Sequence, residues 1–288
     1  MPLPAFRFKK FKVEQDGAAH PVGTDAVLLG AWVDVQGTTS FLDIGTGTGV
    51  IALMLAQRLE SSGDFSRSNT TDPWAGVGVE LHPGSAALAR ENFASSPWAA
   101  QLEVFEGPIQ QFSQGESIYF TQAFDQTTGH FFRVPRLYKF QKLGKSNSET
   151  MSNSLAFDLI VSNPPFFSER TVSPDKTRSL GRHTATLSPE DLLSAVKNLL
   201  APKGKFCAIL PEQEGRRLCE LAVQQGVYWT RITEVRSRPG KPVERLLLQF
   251  EKSPFGFERE EICIYAGEVG GTYSDEFRRM TGAFYLAD

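Results

Sequence analysis

The chain has 288 residues, 41% hydrophobic and 22% charged, with a formal net charge of −3. These are globular values with a sizeable core; they exclude a disordered chain and a globally basic nucleic-acid binder, so any nucleic-acid contact must come from local patches. No apolar run approaches membrane length and no secretory signal stands at the N-terminus; Cys207, Cys219 and Cys263 lack metal spacing, which predicts a cytoplasmic protein with reduced thiols and no metal.

In chain order, residues 5–33 read as a short hairpin-like piece followed by a helix from Thr24 to Trp32. A buried strand follows at 40–44 and a helix at 49–59, with apolar residues at Ile51, Met54, Leu55 and Leu59. Ser61 to Trp74 is a polar loop. Strand 75–80, helix 84–94 and strand 101–106 come next. Residues 113–155 have low apolar periodicity and read as a long insertion without structure of its own, either functional or mobile. Strand 157–162, helix 189–200, strand 205–210 and helix 212–225 follow. Two strands, 227–236 and 244–250, flank the turn Pro239-Gly240-Lys241-Pro242; a short strand at 262–265 and a helix at 274–280 close the chain. Alternating strands and helices predict an α/β fold with a doubly wound, mostly parallel sheet and ligand loops at the carboxyl ends of its strands. Seven strands are expected in the sheet, the last hairpin antiparallel. Residues 1–36 form a small N-terminal extension, a lid and RNA-contact segment, ahead of a catalytic domain over 37–288.

Two motifs carry chemistry. Asp43-Ile44-Gly45-Thr46-Gly47-Thr48-Gly49 joins a strand to a helix. Its glycines permit positive φ and close approach of a ligand, and the helix start suits a carboxylate. The spacing is G-x-G-x-G, not the dinucleotide G-x-G-x-x-G, and Asp43 suits the amino group of a methionine moiety. Glu80, at the end of the second strand, suits ribose hydroxyls. The second motif is Asn163-Pro164-Pro165-Phe166, after the apolar strand 157–162. The Asn163 oxygen and the Pro164 carbonyl can accept both hydrogens of a planar amino or amide group, and Phe166 offers a stacking face. Together they point to methyl transfer from S-adenosylmethionine to such a nitrogen; an ordinary dehydrogenase has no use for the tetrad. Two basic, aromatic patches suit RNA: Arg7, Lys9, Lys10 and Lys12 among Phe6, Phe8 and Phe11, and the stretch from Arg133 to Lys145 that holds Arg136 and Lys139. The N-terminal alternation is equally that of a strand with one face in the core.

These motifs, with Phe6 to Val13, Val22 to Trp32, Arg182-His183-Thr184, Pro239 to Leu248 and the tail from Tyr273, resemble the bacterial tRNA (adenine-N6)-methyltransferases that modify adenosine 37 of a valine tRNA. The resemblance covers most of the chain outside 61–74 and 113–155. It implies a Rossmann-like class I methyltransferase with tRNA as its partner and S-adenosylmethionine as its cofactor; a monomer is expected. It implies that Asp43, Gly45, Thr46, Gly47 and Gly49 hold the methionine part, Glu80 the ribose, and Thr24 and Asp25 the neighbourhood of the methionine end. Asn163, Pro164, Pro165 and Phe166 would form the adenine site. Arg182 and His183 would border the pocket, His183 in a structural or phosphate-contact role, with a catalytic base as the alternative. Pro108 stands where the family pattern carries an Asp for the cofactor's adenine amino group, leaving Glu106 or Gln110 to serve. Protein glutamine methylation, methylation of ribosomal RNA or DNA, and a non-catalytic RNA-binding role are the alternatives.

Overall fold

The structure, a computed structural model, describes residues 2–61, 74–125, 130–139, 156–165 and 187–285, with the backbone alone over 114–125 and 130–139. A two-stranded piece, β1 (Phe6–Arg7) and β2 (Lys12–Val13), leads into α1 (Thr24–Trp32). Then come β3 (Ser40–Ile44), α2 (Val50–Ser61), β4 (Ala75–Glu80), α3 (Pro83–Ala94), β5 (Leu102–Glu106) and α4 (Ile109–Gly115). A hairpin of β6 (Glu116–Asp125) and β7 (His130–Lys139) precedes β8 (Phe157–Ser162). The chain closes with α5 (Pro189–Leu199), β9 (Leu200–Pro211), α6 (Glu212–Gln224), β10 (Tyr228–Arg236), β11 (Arg245–Glu251), β12 (Glu258–Cys263) and α7 (Asp275–Thr281).

The main sheet runs β12-β10-β11-β9-β8-β3-β4-β5. From β3 the chain winds outward through β4 and β5, then returns to place β8 on the other side of β3. The order therefore reverses between β3 and β8, and a crevice opens there beyond the strands' carboxyl ends. β3, β4, β5, β8 and β9 are mutually parallel, while β11 runs antiparallel to β9 and to β10.

Alternation along the strands builds two cores. Cys207 and Ile209 of β9 join one layer with α1, α2, part of α3 and α7; Phe206, Ala208 and Leu210 join the other with α4, α5 and α6. Helix starts follow local chemistry. Ser188 caps α5 by accepting from the Asp191 amide at 3.0 Å, with Pro189 next, and Ser274 caps α7 by accepting from the Phe277 amide at 3.0 Å.

Two expectations are corrected. The sheet has eight strands, not seven, because β12 pairs in parallel with the outer side of β10. The strand expected at 262–265 begins earlier, at Glu258, because four of its six residues are charged and apolar alternation marks only its end; Arg231–Glu260 at 2.7 Å and Arg236–Glu261 at 3.0 Å hold this exposed edge. The stretch at 113–155 is not structureless: β6 and β7 pair antiparallel from Glu116–Lys139 to Asp125–His130 as a separate two-stranded sheet, with β7 lying near β4 and β5. Aromatic and β-branched residues crowd both strands without strict alternation, which hides the period-2 signal.

Candidate active site

The glycine loop leaves β3 and enters α2. Gly45 and Gly47 have φ of +73° and +57°, and a Cβ at either would meet no neighbouring atom. Their bare backbone therefore borders open space. Asp43 is fully buried, and Thr46 Oγ1 donates to its Oδ2 at 2.7 Å, while Oδ1 has no hydrogen-bond partner among the described residues. Burial pushes the Asp43 carboxyl up to about 7; the Thr46 hydroxyl and the Ala52 backbone act against this, and the Glu80 charge adds to it.

Glu80, at the end of β4, ties the loop down: its Oε2 accepts from the Gly47 amide at 2.9 Å and its Oε1 from the His82 amide at 2.8 Å. Glu80 and the glycine loop thus form one constellation.

Asn163, Pro164 and Pro165 follow β8 directly. Ile44 pairs with Ser162, and the Ser162 hydroxyl donates to the Ile44 carbonyl at 2.8 Å. Asn163 therefore leaves β8 where Gly45 leaves β3, on the two sides of the crevice. Asn163 is half-buried, Pro164 buried and Pro165 exposed. Thr24 and Asp25 open α1. Asp25 accepts from Arg245 Nε at 2.8 Å, and Arg245 begins β11 opposite Pro211 at the carboxyl end of β9. The start of α1 is thereby anchored to the crevice edge of the sheet. Phe166, Arg182 and His183 lie outside the described residues.

The N-terminal cations are exposed on the β1–β2 piece, yet three of them have partners. Lys9 Nζ donates to the Gly282 carbonyl at 2.5 Å, Lys10 lies 3.3 Å from Glu60 and Lys12 2.8 Å from Glu14. Arg7, Lys10 and Lys12 line an open groove of about 630 Å³ with Ser95, Ser96 and Pro97. The aromatic residues between them are not free for bases: Phe8 and Phe11 are 4% and 7% exposed and stack on each other at 4.5 Å. They flank the turn between β1 and β2, where the Phe8 amide donates to the Phe11 carbonyl at 2.9 Å, and both face the core. Arg136 and Lys139 lie on β7, paired with Tyr119 and Glu116.

Pro108 is the turn that starts α4, its carbonyl accepting from the Gln111 and Phe112 amides at 3.0 and 3.2 Å. Glu106 beside it pairs with Arg90 at 3.0 Å.

Several bracing residues escape the motif reading. Asn92 of α3 is fully buried; its Nδ2 donates to the Thr48 and Glu14 carbonyls, both at 2.9 Å, and its Oδ1 accepts from the Glu14 amide at 2.8 Å. A polar residue on the Ala86–Ala89–Phe93 face of that helix is the signal that marks it. Gly76 and Gly78 alternate on one face of β4, and a Cβ on Gly78 would sit 2.8 Å from the Thr46 side chain. Nothing in the sequence points to Arg245 as the partner of Asp25.

A sheet that reverses beside a Gly-x-Gly-x-Gly loop, with an acid on each of the two strands flanking it, defines an S-adenosylmethionine-dependent methyltransferase of the Rossmann-like α/β class. The buried, unpartnered Asp43 oxygen and the bare Gly45 and Gly47 backbone fit that cofactor's amino acid moiety. The crystal structure of a predicted O-methyltransferase from Agrobacterium tumefaciens shares the fold, with a TM-score of 0.54 and 15% identity over 90% of this chain and 96% of that one. No protein-family model matches the chain. A tRNA1(Val) (adenine(37)-N6)-methyltransferase from Bacteroides fragilis is 36% identical over 286 residues, 99% of each chain. Proteins of the same name from Yersinia enterocolitica and Aeromonas salmonicida are 34% and 35% identical over 281 residues, 98% of this chain and 92% and 97% of theirs. The chain belongs to this tRNA1(Val) (adenine(37)-N6)-methyltransferase family, and its enzyme class is transferase.

Proposed function

We propose that the chain methylates the exocyclic N6 of an adenine in tRNA, position 37 of a valine tRNA, with S-adenosylmethionine as methyl donor. The carrying observation is the emergence of Asn163-Pro164 from β8 beside the glycine loop on β3, at the reversal of the sheet. Bound at that loop, the cofactor supplies an electrophilic methyl group. Asp43 with Gly45, Thr46, Gly47 and Gly49 would hold its methionine part, Glu80 its ribose, and Thr24 and Asp25 would border the methionine end.

The adenine amino group is a weak nucleophile because its lone pair is delocalised into the ring. Acceptance of its two hydrogens by Asn163 Oδ1 and the Pro164 carbonyl pulls the nitrogen toward tetrahedral geometry. Proline rings fix φ on both sides of that carbonyl, so its direction is set before the base arrives. Phe166 would stack on the flipped base, and Pro165 would keep the tetrad rigid. No general base is needed, since the proton leaves after the methyl group arrives. A base in an anticodon loop is partly unstacked already and flips at low cost.

RNA contacts fall to Arg7, Lys9, Lys10 and Lys12, to Arg136 and Lys139 on β7, and to Arg182 and His183. The exposure of the N-terminal four supports this. A tRNA substrate and three free cysteines fit a cytoplasmic location. No helix among the described residues is long and apolar enough to cross a membrane, and no cluster there could hold a metal ion.

Incubation with labelled S-adenosylmethionine and unmodified total tRNA, then nucleoside mass spectrometry, tests the reading. N6-methyladenosine is expected with the wild type and its loss with Asn163→Ala, with cofactor affinity within about twofold of wild type. Label on a protein glutamine and none on RNA would overturn it.

A further inference from the structure

We propose that the turn between β10 and β11, residues 237–244, is a phosphate-contact arm that grips the RNA strand beside the flipped adenine, with Lys241 and Arg238 as its cations. This rests on the tRNA reading above.

Its place follows from register. Ser162 of β8 pairs with Ala208 of β9; Pro211, at the end of β9, pairs with Arg245, the first residue of β11, which lies opposite Val235 of β10. Asn163 and the turn therefore leave the same edge of the sheet. Three strand spacings separate β8 from β10, roughly 14 Å at about 4.8 Å each. That is the range of the phosphates neighbouring a base held at Asn163.

The turn is rigidly mounted. Ser237 Oγ donates to Glu244 Oε1 at 2.5 Å, the Lys241 amide to the Arg238 carbonyl at 3.2 Å, and Arg236 Nη1 to the Lys241 carbonyl at 2.6 Å. Charge is left over on it. Arg236 pairs with Glu261, Arg245 with Asp25 and Arg216 with Glu212. Arg238 instead donates to the Gly267 and Gly270 carbonyls at 2.9 and 2.6 Å and lies 4.6 Å over the Tyr265 ring. Those partners orient the half-buried guanidinium without neutralising it. The Lys241 ammonium is exposed and has no ion-pair partner among the described residues. Two uncompensated cations, one held in a fixed direction, at the rim of the site suit a polyanion. The N-terminal lysines differ, since Lys10 and Lys12 already face carboxylates.

The test is the salt dependence of tRNA binding by wild type, Lys241→Ala and Lys241→Glu, with Arg238→Gln as a second site. The Ala variant should bind about threefold and the Glu variant about tenfold more weakly at low salt, with a log–log salt slope shallower by about 0.7–0.9 for the lost phosphate contact. Cofactor affinity by calorimetry should stay unchanged in the Lys241 variants. Wild-type affinity and slope in all three variants would overturn the arm while leaving the methylation reading intact, provided the wild type methylates tRNA. A weakened cofactor affinity in the Lys241 variants would also overturn it. A wild type that neither binds nor methylates tRNA would overturn both.

Discussion

Asn92 donates to the Thr48 carbonyl at 2.9 Å, so a helix that carries no motif holds the cofactor loop in place. The same amide group brackets Glu14, which fixes the N-terminal segment to the loop. The neighbouring Phe93 ring fills the space a Cβ on Gly49 would take, 2.5 Å from its nearest carbon. Two successive residues of α3 thus brace the loop, one by hydrogen bonds and one by contact.

Replacing Asn92 by Leu keeps the branched shape and removes the partner of one buried backbone group, on Thr48, and of two half-buried ones, on Glu14. Each unsatisfied group costs about 1–3 kcal/mol. A loss of about 2–4 kcal/mol in urea unfolding is expected, because part of the cost is relieved as the loop relaxes. Affinity for S-adenosylhomocysteine should fall by an order of magnitude, roughly, as the loop loses its preset shape. A stable variant with wild-type affinity would show that the loop needs no such brace.

Glu80 accepts one amide with each oxygen, Gly47 on the loop and His82 beyond the strand. Glutamine keeps one acceptor and turns an NH2 group toward an amide hydrogen. Charged hydrogen bonds contribute about 1.5–3 kcal/mol each, so Glu80→Gln should weaken cofactor binding roughly ten- to a hundredfold by calorimetry. Binding within twofold of wild type would remove Glu80 from both the loop and the ribose.

What the sequence revealed about this site was governed by range. Asp43, the three glycines, Glu80 and Asn163 could be placed together from sequence because each sits at a strand end, which local pattern marks. The doubly wound, mostly parallel character of the sheet follows from alternating strands and helices. The sequence hides what depends on partners far along the chain. Arg245 meets Asp25 across 220 positions and Asn92 meets Glu14 across 78, and neither leaves a local mark. Only the end of β12, Ile262 and Cys263, is legible, because charged partners and not apolar residues hold Glu258 to Glu261. Phe8 and Phe11 point the other way: a basic–aromatic alternation suits RNA, and the structure gives its aromatic half to the core.

Gly78 is invisible to any loop motif, yet it makes room for Thr46, the residue that donates to Asp43. A Cβ there would come within 2.8–2.9 Å of three Thr46 atoms. Overpacking of this kind costs about 1–3 kcal/mol. Gly78→Ala should lower the urea midpoint accordingly, and displacement of Thr46 should also weaken cofactor binding. Adding Thr46→Ser, which removes the methyl group, should recover part of the stability. A double variant no better than Gly78→Ala would place the strain elsewhere.

Asp43 gives the site a pH dependence of known sign. Its carboxyl stands at about 7 in the folded protein against an ordinary 3.8, because burial penalises the charge. Between those values the native state holds more protons than the unfolded chain, so the Asp43 contribution to stability is full below about pH 4, falls as pH rises to about 7 and is level above it. Asp43→Asn cannot titrate. The difference in unfolding free energy should therefore shift in favour of the variant from about pH 5 to 7 and stay constant above about pH 8. A cationic amino group held against Asp43 favours the ionised form, so binding between about pH 5.5 and 7, below the range where an α-amino group titrates, should release a proton from the protein. Calorimetry of S-adenosylhomocysteine binding in two buffers of different ionisation enthalpy counts that proton. The wild type should release close to one at pH 6 and Asp43→Asn almost none. Equal counts for the two proteins would mean that Asp43 does not face the amino group.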